Sequence, residues 1–142
     1  MRGLNGRVAV VTGGARGLGK AAAERLAEEG ANIGILDLRD DEARTVASAL
    51  GGVAAKCDTT DEVQLAEGMS LVADRFGGID ILVNNAGLIA PRKDWQTWTK
   101  AEVEKFAEVN YIGYFLSIKA AHPYLKASGH GRVINVASRT FF

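Results

Sequence analysis

The chain has 142 residues, 47% of them apolar, with 17 Gly and only 2 Pro, a makeup that suits a compact sheet covered by helices rather than a disordered chain. Its 17 basic residues balance its 17 acidic ones, which leaves no basic excess for nucleic acid and no polybasic cluster for anionic lipid. Residues 1–6 form no apolar signal region, and no apolar run is long enough to span a bilayer. The single cysteine, Cys57, excludes an internal disulfide and a cysteine-based zinc site, so a cytoplasmic protein is expected.

Short apolar runs alternate with segments of helical spacing, the pattern of a parallel, doubly wound α/β sheet. Residues 7–12 read as the first strand. Leu18, Ala22 and Leu26 recur at helical spacing and place a helix over Leu18–Glu29, stopped by Gly30. Asn32–Asp37 is the second strand, and Asp40–Leu50 the second helix, ended by Gly51-Gly52. Val53–Cys57 is the third strand, with Cys57 expected to be buried. The spacing from Thr59 to Glu62 predicts a capping box opening a third helix, which Gly77-Gly78 closes. Ile79–Asn84 is the fourth strand. A polar connection carrying Trp95 and Trp98 leads to a second capping box, Thr99 to Glu102, and one long helix over Ala101–Ala127. Arg132–Ala137 is the fifth strand. No repeat or linker interrupts the pattern, so residues 1–142 read as one dinucleotide-binding domain or part of one.

Two segments carry chemistry. Thr12-Gly13-Gly14-Ala15-Arg16-Gly17-Leu18-Gly19 joins the first strand to the first helix. A helix N-terminus offers backbone amides without helical partners and a dipole that favours negative charge, and glycine lets a diphosphate approach the backbone. Asp37, ending the second strand about twenty residues past that turn, can accept hydrogen bonds from the adenosine ribose hydroxyls. It can equally be a helix cap or a surface carboxylate. The same charge would repel a 2′-phosphate, which favours NAD over NADP, while Arg16 and Arg39 argue the other way.

The spacing Thr-Gly-x-x-x-Gly-x-Gly, together with Asn84-Asn85-Ala86-Gly87 after the fourth strand, resembles the short-chain dehydrogenase/reductase family. The resemblance implies a Rossmann-type sheet of strand order 3-2-1-4-5 and an NAD(P)-dependent oxidoreductase that moves a hydride between nicotinamide and a small or medium alcohol or carbonyl compound. It places the cofactor against Thr12, Gly13, Arg16, Gly17, Leu18, Gly19, Asp37, Asp58, Thr59, Asn85, Ala86 and Gly87, with Asp58 toward the adenine amino group. Ser138 matches the serine that holds the substrate oxygen, and Asn110 the helix asparagine whose backbone anchors a water. Arg139 and Thr140 stand where the family's substrate contacts begin.

The family's Tyr-x-x-x-Lys pair, the general acid/base and the lysine that lowers its pKa, is not found here. Four residues beyond Tyr111, Tyr114 and Tyr124 stand Phe115, Ile118 and Ser128. The chain thus reads as the leading part of such a domain, stopping before its last strands and inactive alone. The alternative is a non-catalytic dinucleotide-binding fragment or partner-binding half. Val103, Phe106, Val109, Ile112, Phe115 and Leu116 make a wide apolar stripe on the fourth helix, which Tyr111, Tyr114, Ile118 and Ala121 extend around it. Such a helix needs cover beyond its own sheet, from another helix of this fold or from another subunit, and the resemblance implies a homo-oligomer. His122 and His130 have no ligand spacing around them, so no metal site is expected, and His122 reads as a packing or cap residue.

Overall fold

A computed structural model of the chain describes residues 3–138. Five parallel strands, β1 (Val8–Thr12), β2 (Asn32–Asp37), β3 (Val53–Lys56), β4 (Ile81–Asn84) and β5 (Arg132–Asn135), form one sheet in the order β3-β2-β1-β4-β5. The strand order is the one implied by the resemblance. Helices α1 (Gly17–Glu28) and α2 (Asp40–Ala49) cover one face. Helices α3 (Glu62–Phe76) and α5 (Gly113–Ser128) cover the other.

Alternation along β1 explains the two layers. Ala9 and Val11 join a cluster with Ala23, Ile33, Ile35, Ala43 and Val46, whereas Val8 and Val10 join Leu36, Leu65, Met69, Val72, Leu82 and Leu125 on the opposite face. Every residue of β1 and β4 is buried, as expected for parallel strands covered on both sides. All four residues of β5 are exposed, which leaves this end of the sheet as an open edge among the described residues.

The third helix is not capped by Thr59. Its N-cap is Asp61, whose carboxylate accepts the amides of Val63 and Gln64 and is held below the ordinary carboxylate range by these bonds. Thr59 is buried instead beneath Gly113. The second capping box is present: Thr99 and Glu102 exchange side-chain and backbone bonds at the start of α4 (Lys100–Ala107). With Lys93 donating to it as well, the Glu102 carboxyl is pulled down to about 2. Cys57 is buried as expected, and burial pushes its thiol up to about 12.

The long fourth helix is not uniform. Between α4 and α5 the residues Glu108–Ile112 form a π turn, which adds one residue to a turn and rotates everything after it. The side of α5 that reaches the sheet is therefore Gly113, Ser117, Ala121 and Leu125. The large apolar residues of the expected stripe lie elsewhere: Val103, Ile112 and Phe115 are exposed, and Phe106, Val109 and Leu116 are half-buried. Leu18 is likewise exposed, because the inner face of α1 is made by Gly19 and Ala23. His122 is exposed and is not a packing residue.

Candidate dinucleotide and catalytic site

Thr12, the last residue of β1, ties the glycine turn to the segment after β4. Its buried hydroxyl accepts the backbone amides of Asn85 and Ala86, each at 3.1 Å, and donates to the Val83 carbonyl at 3.4 Å. Asn85 returns the contact: its Nδ2 donates to the carbonyls of Thr12 at 3.1 Å and Gly13 at 3.0 Å. The two motifs singled out in the sequence are therefore one hydrogen-bonded unit at the carboxyl ends of adjacent central strands, where doubly wound sheets bind ligands.

The glycines of this unit have different duties. A Cβ on Gly19 would stand 2.2 Å from the Gly13 carbonyl oxygen and 2.3 Å from Asn85 Nδ2, so only glycine fits. Gly13 is pressed against the Ala86 backbone in the same way. Gly17 has φ +53 with open space where a side chain would go. No side chain caps α1 at Arg16, which leaves its first-turn amides for an anion. Close packing behind the turn, open space in front of it and an uncapped helix start fit the diphosphate of a dinucleotide.

Asp37 is 4% exposed at the end of β2. Its Oδ2 accepts the Ala15 amide at 3.0 Å and its Oδ1 the Arg39 amide at 2.9 Å. It is thus neither an N-cap of α2, which begins after Arg39, nor a surface group. It braces the glycine turn, and each oxygen retains acceptor capacity for a ribose hydroxyl. Asp58 Oδ1 accepts the amide and hydroxyl of Thr60, while its own amide donates to Gln64.

Asn110 lies within the π turn. Its side-chain amide pairs with the Leu88 backbone in both directions, accepting from the nitrogen at 2.7 Å and donating to the oxygen at 2.9 Å. This clamp fixes the segment that follows Asn85, Ala86 and Gly87, and its oxygen stands 3.1 Å from where a Gly87 Cβ would be. Asn84, fully buried, donates to Asn135 on β5 at 2.9 Å and so couples the strand that ends near Ser138 to β4. The Tyr114 hydroxyl, donating to the Val136 carbonyl at 2.9 Å, adds a second hold on that strand's end.

Asn110 and Ser138 share a cleft of about 1470 Å³ whose other walls include Trp95, Trp98, Phe106 and Tyr111. Trp98 meets Phe106 edge-on with ring centroids 5.4 Å apart, and Lys93 Nζ stands over the Trp98 ring, 4.5 Å from its centroid. Arg139 and Thr140 lie outside the described residues. Among those described, no group of three or more His, Cys, Asp or Glu side chains could hold a metal ion, and no helix is long and apolar enough to cross a membrane.

What sequence reasoning missed is Thr12's hydroxyl as a hub, the tie from Asn84 to Asn135, and Tyr114. Only the buried position of a polar residue at each strand end could have pointed to the first two.

Comparison with known proteins agrees with this geometry. The family described as short chain dehydrogenase matches residues 7–141. The chain is 40% identical over 144 residues to the 2,5-dichloro-2,5-cyclohexadiene-1,4-diol dehydrogenase LinX of Sphingobium indicum, covering 95% of this chain and 56% of that protein. It is 39% identical over 139 residues to the D-beta-hydroxybutyrate dehydrogenase of Rhizobium meliloti, covering 93% and 54%. A crystal structure of 3-ketoacyl-(acyl-carrier-protein) reductase from Brucella melitensis complexed with NADH superposes with a TM-score of 0.90 at 32% identity, over 96% of this chain and 59% of that one. The chain thus spans little more than half the length of these relatives. On its motifs, its sheet order and these matches, the chain belongs to the short-chain dehydrogenase family.

Proposed function

We propose that residues 1–142 form the dinucleotide-binding part of an NAD-dependent oxidoreductase that interconverts a small or medium alcohol and its carbonyl compound. The observation that carries this reading is the joined unit of Thr12, Asn85 and the glycine turn, with Asp37 buried beside it and Asn110 and Ser138 in the adjoining cleft. The bound nicotinamide would give or receive the hydride. Around it, α1 would hold the diphosphate, Asp37 the adenosine ribose and Asp58 the adenine edge. Thr59, buried under α5, would support that edge from below. Ser138 would hold the substrate oxygen, and the π turn would present the Asn110 backbone to a relay water. The aromatic walls suit a substrate with an apolar body, and the Sphingobium relative is named for a ring diol.

No tyrosine of this chain is followed four residues on by lysine, so the 142-residue polypeptide would bind the dinucleotide without turning over. The exposed Val103, Tyr111, Ile112 and Phe115 would pack against a second copy in a homo-oligomer.

The test is calorimetric titration of the chain with NADH and NADPH. A carboxylate within hydrogen-bond reach of the ribose makes NADH the tighter ligand by about tenfold or more. Equal or tighter binding of NADPH would overturn the cofactor assignment, and absence of binding to either would overturn the site.

A further inference from the structure

A second hollow of about 500 Å³ adjoins the glycine turn, with Ala15, Arg16, Gly17 and Lys20 on one side and Asp41 and Glu42 of α2 on the other. Ala15 is the residue whose amide binds Asp37, so the hollow continues from the ribose position outward from β2. A 2′-phosphate would enter here and would need a cation. Arg16 and Lys20 line the hollow, Arg39 and Arg44 lie beside its lining along the chain, and each of the four is already met by a carboxylate. Arg39 stands 3.8 Å from Asp37, Lys20 3.7 Å from Glu24, and Arg44 2.9 Å from Asp40. Arg16 donates two hydrogen bonds to Glu42, one through Nε and one through a terminal nitrogen at 2.5 Å.

Of these four, Arg16 alone belongs to the glycine turn itself and is held by a carboxylate from a different element. We propose that Glu42 is a specificity-determining residue for the dinucleotide: its carboxylate holds the Arg16 guanidinium and so withdraws from the hollow the cation that would receive a 2′-phosphate. The fork of the guanidinium matches a carboxylate or a phosphate equally well, so the two compete for it. Glu42 also brings its own charge to the hollow, and pairing with Arg16 keeps it below the ordinary carboxylate range, hence ionised at neutral pH. Asp37 and Glu42 then act in series, one repelling the phosphate and the other occupying its partner.

This inference rests on the dinucleotide reading above, and the experiment separates the two. ADP-ribose and 2′-phospho-ADP-ribose, which carry only the half of the ligand that this site addresses, are titrated against the chain and against Glu42→Gln and Glu42→Gln/Arg16→Ala. Glu42→Gln should raise affinity for the 2′-phosphorylated probe about tenfold, the scale of one charge-assisted hydrogen bond, with ADP-ribose affinity changed less than about twofold. Adding Arg16→Ala should cancel the gain. The pair is on the surface, so thermal melts of all variants should coincide with wild type to within a few degrees. An unchanged affinity in Glu42→Gln with ADP-ribose bound normally overturns the role of Glu42. A gain that survives Arg16→Ala overturns it too, by assigning the effect to the Glu42 charge alone. Failure of the wild-type chain to bind ADP-ribose overturns the dinucleotide reading and this inference with it.

Discussion

Gly19→Ala is expected to destabilise the fold by about 3 kcal/mol or more and to abolish dinucleotide binding. The added methyl group would have to occupy space 2.2 Å from the Gly13 carbonyl and 2.3 Å from Asn85 Nδ2. Neither neighbour is a flexible side-chain end: one is backbone, and the other is held by two hydrogen bonds. Relief requires moving α1 away from the turn or breaking the link to the segment after β4. Gly17→Ala provides the contrast, because nothing lies within 4 Å of its added methyl group. Its cost is that of a side chain in the left-handed region, about 1–2 kcal/mol. Urea unfolding and NADH titration of both variants check the difference. A Gly19→Ala chain with wild-type midpoint and affinity would show that the turn is not packed as described.

Thr12→Val is expected to cost about 2–4 kcal/mol while keeping shape and volume. The exchange removes the acceptor of two backbone amides, those of Asn85 and Ala86, and leaves both without their partner. The loss falls on a contact that joins the glycine turn to the segment after β4, so NADH binding should fall with stability. Thr12→Ser keeps the hydroxyl and loses only a buried methyl group, which is about 1 kcal/mol. Equal midpoints for Thr12→Val and Thr12→Ser would contradict the role assigned to the hydroxyl.

Much of this arrangement was legible in the residue order. The short apolar runs and the glycines that close helices place the strands to within a residue or two, since backbone punctuation is local chemistry. Asp37 could be placed at the end of β2 beside the glycine turn because its distance from that turn is set by one helix and one strand. Other features depend on contacts that spacing does not encode. Thr59 and Asp61 both offer a cap oxygen, and the choice is made by Gly113 packing over Thr59, a contact from a helix more than fifty residues later. The apolar stripe of the fourth helix presupposes one uniform period. The π turn around Asn110 breaks that period, because the Asn110 side chain is held by Leu88 and Gly113 must reach Thr59. The residue left a trace in sequence, as an amide within an apolar helix, but not its geometry. Asn84 is legible as part of its motif; the partner of its tie, Asn135 on the neighbouring strand, is not.

We infer that a dinucleotide lies across the carboxyl ends of β1, β2 and β4, over the turn that Thr12 and Asn85 hold together. The most direct test is an amide NMR titration of the ¹⁵N-labelled chain with NADH. Saturable shifts are expected at Gly13, Ala15, Gly17, Leu18 and Gly19, with further shifts at Asp37, Asp58, Ala86 and Gly87. A folded chain whose glycine-turn amides stay unmoved at millimolar NADH, or whose shifts fall only on other faces, would contradict it.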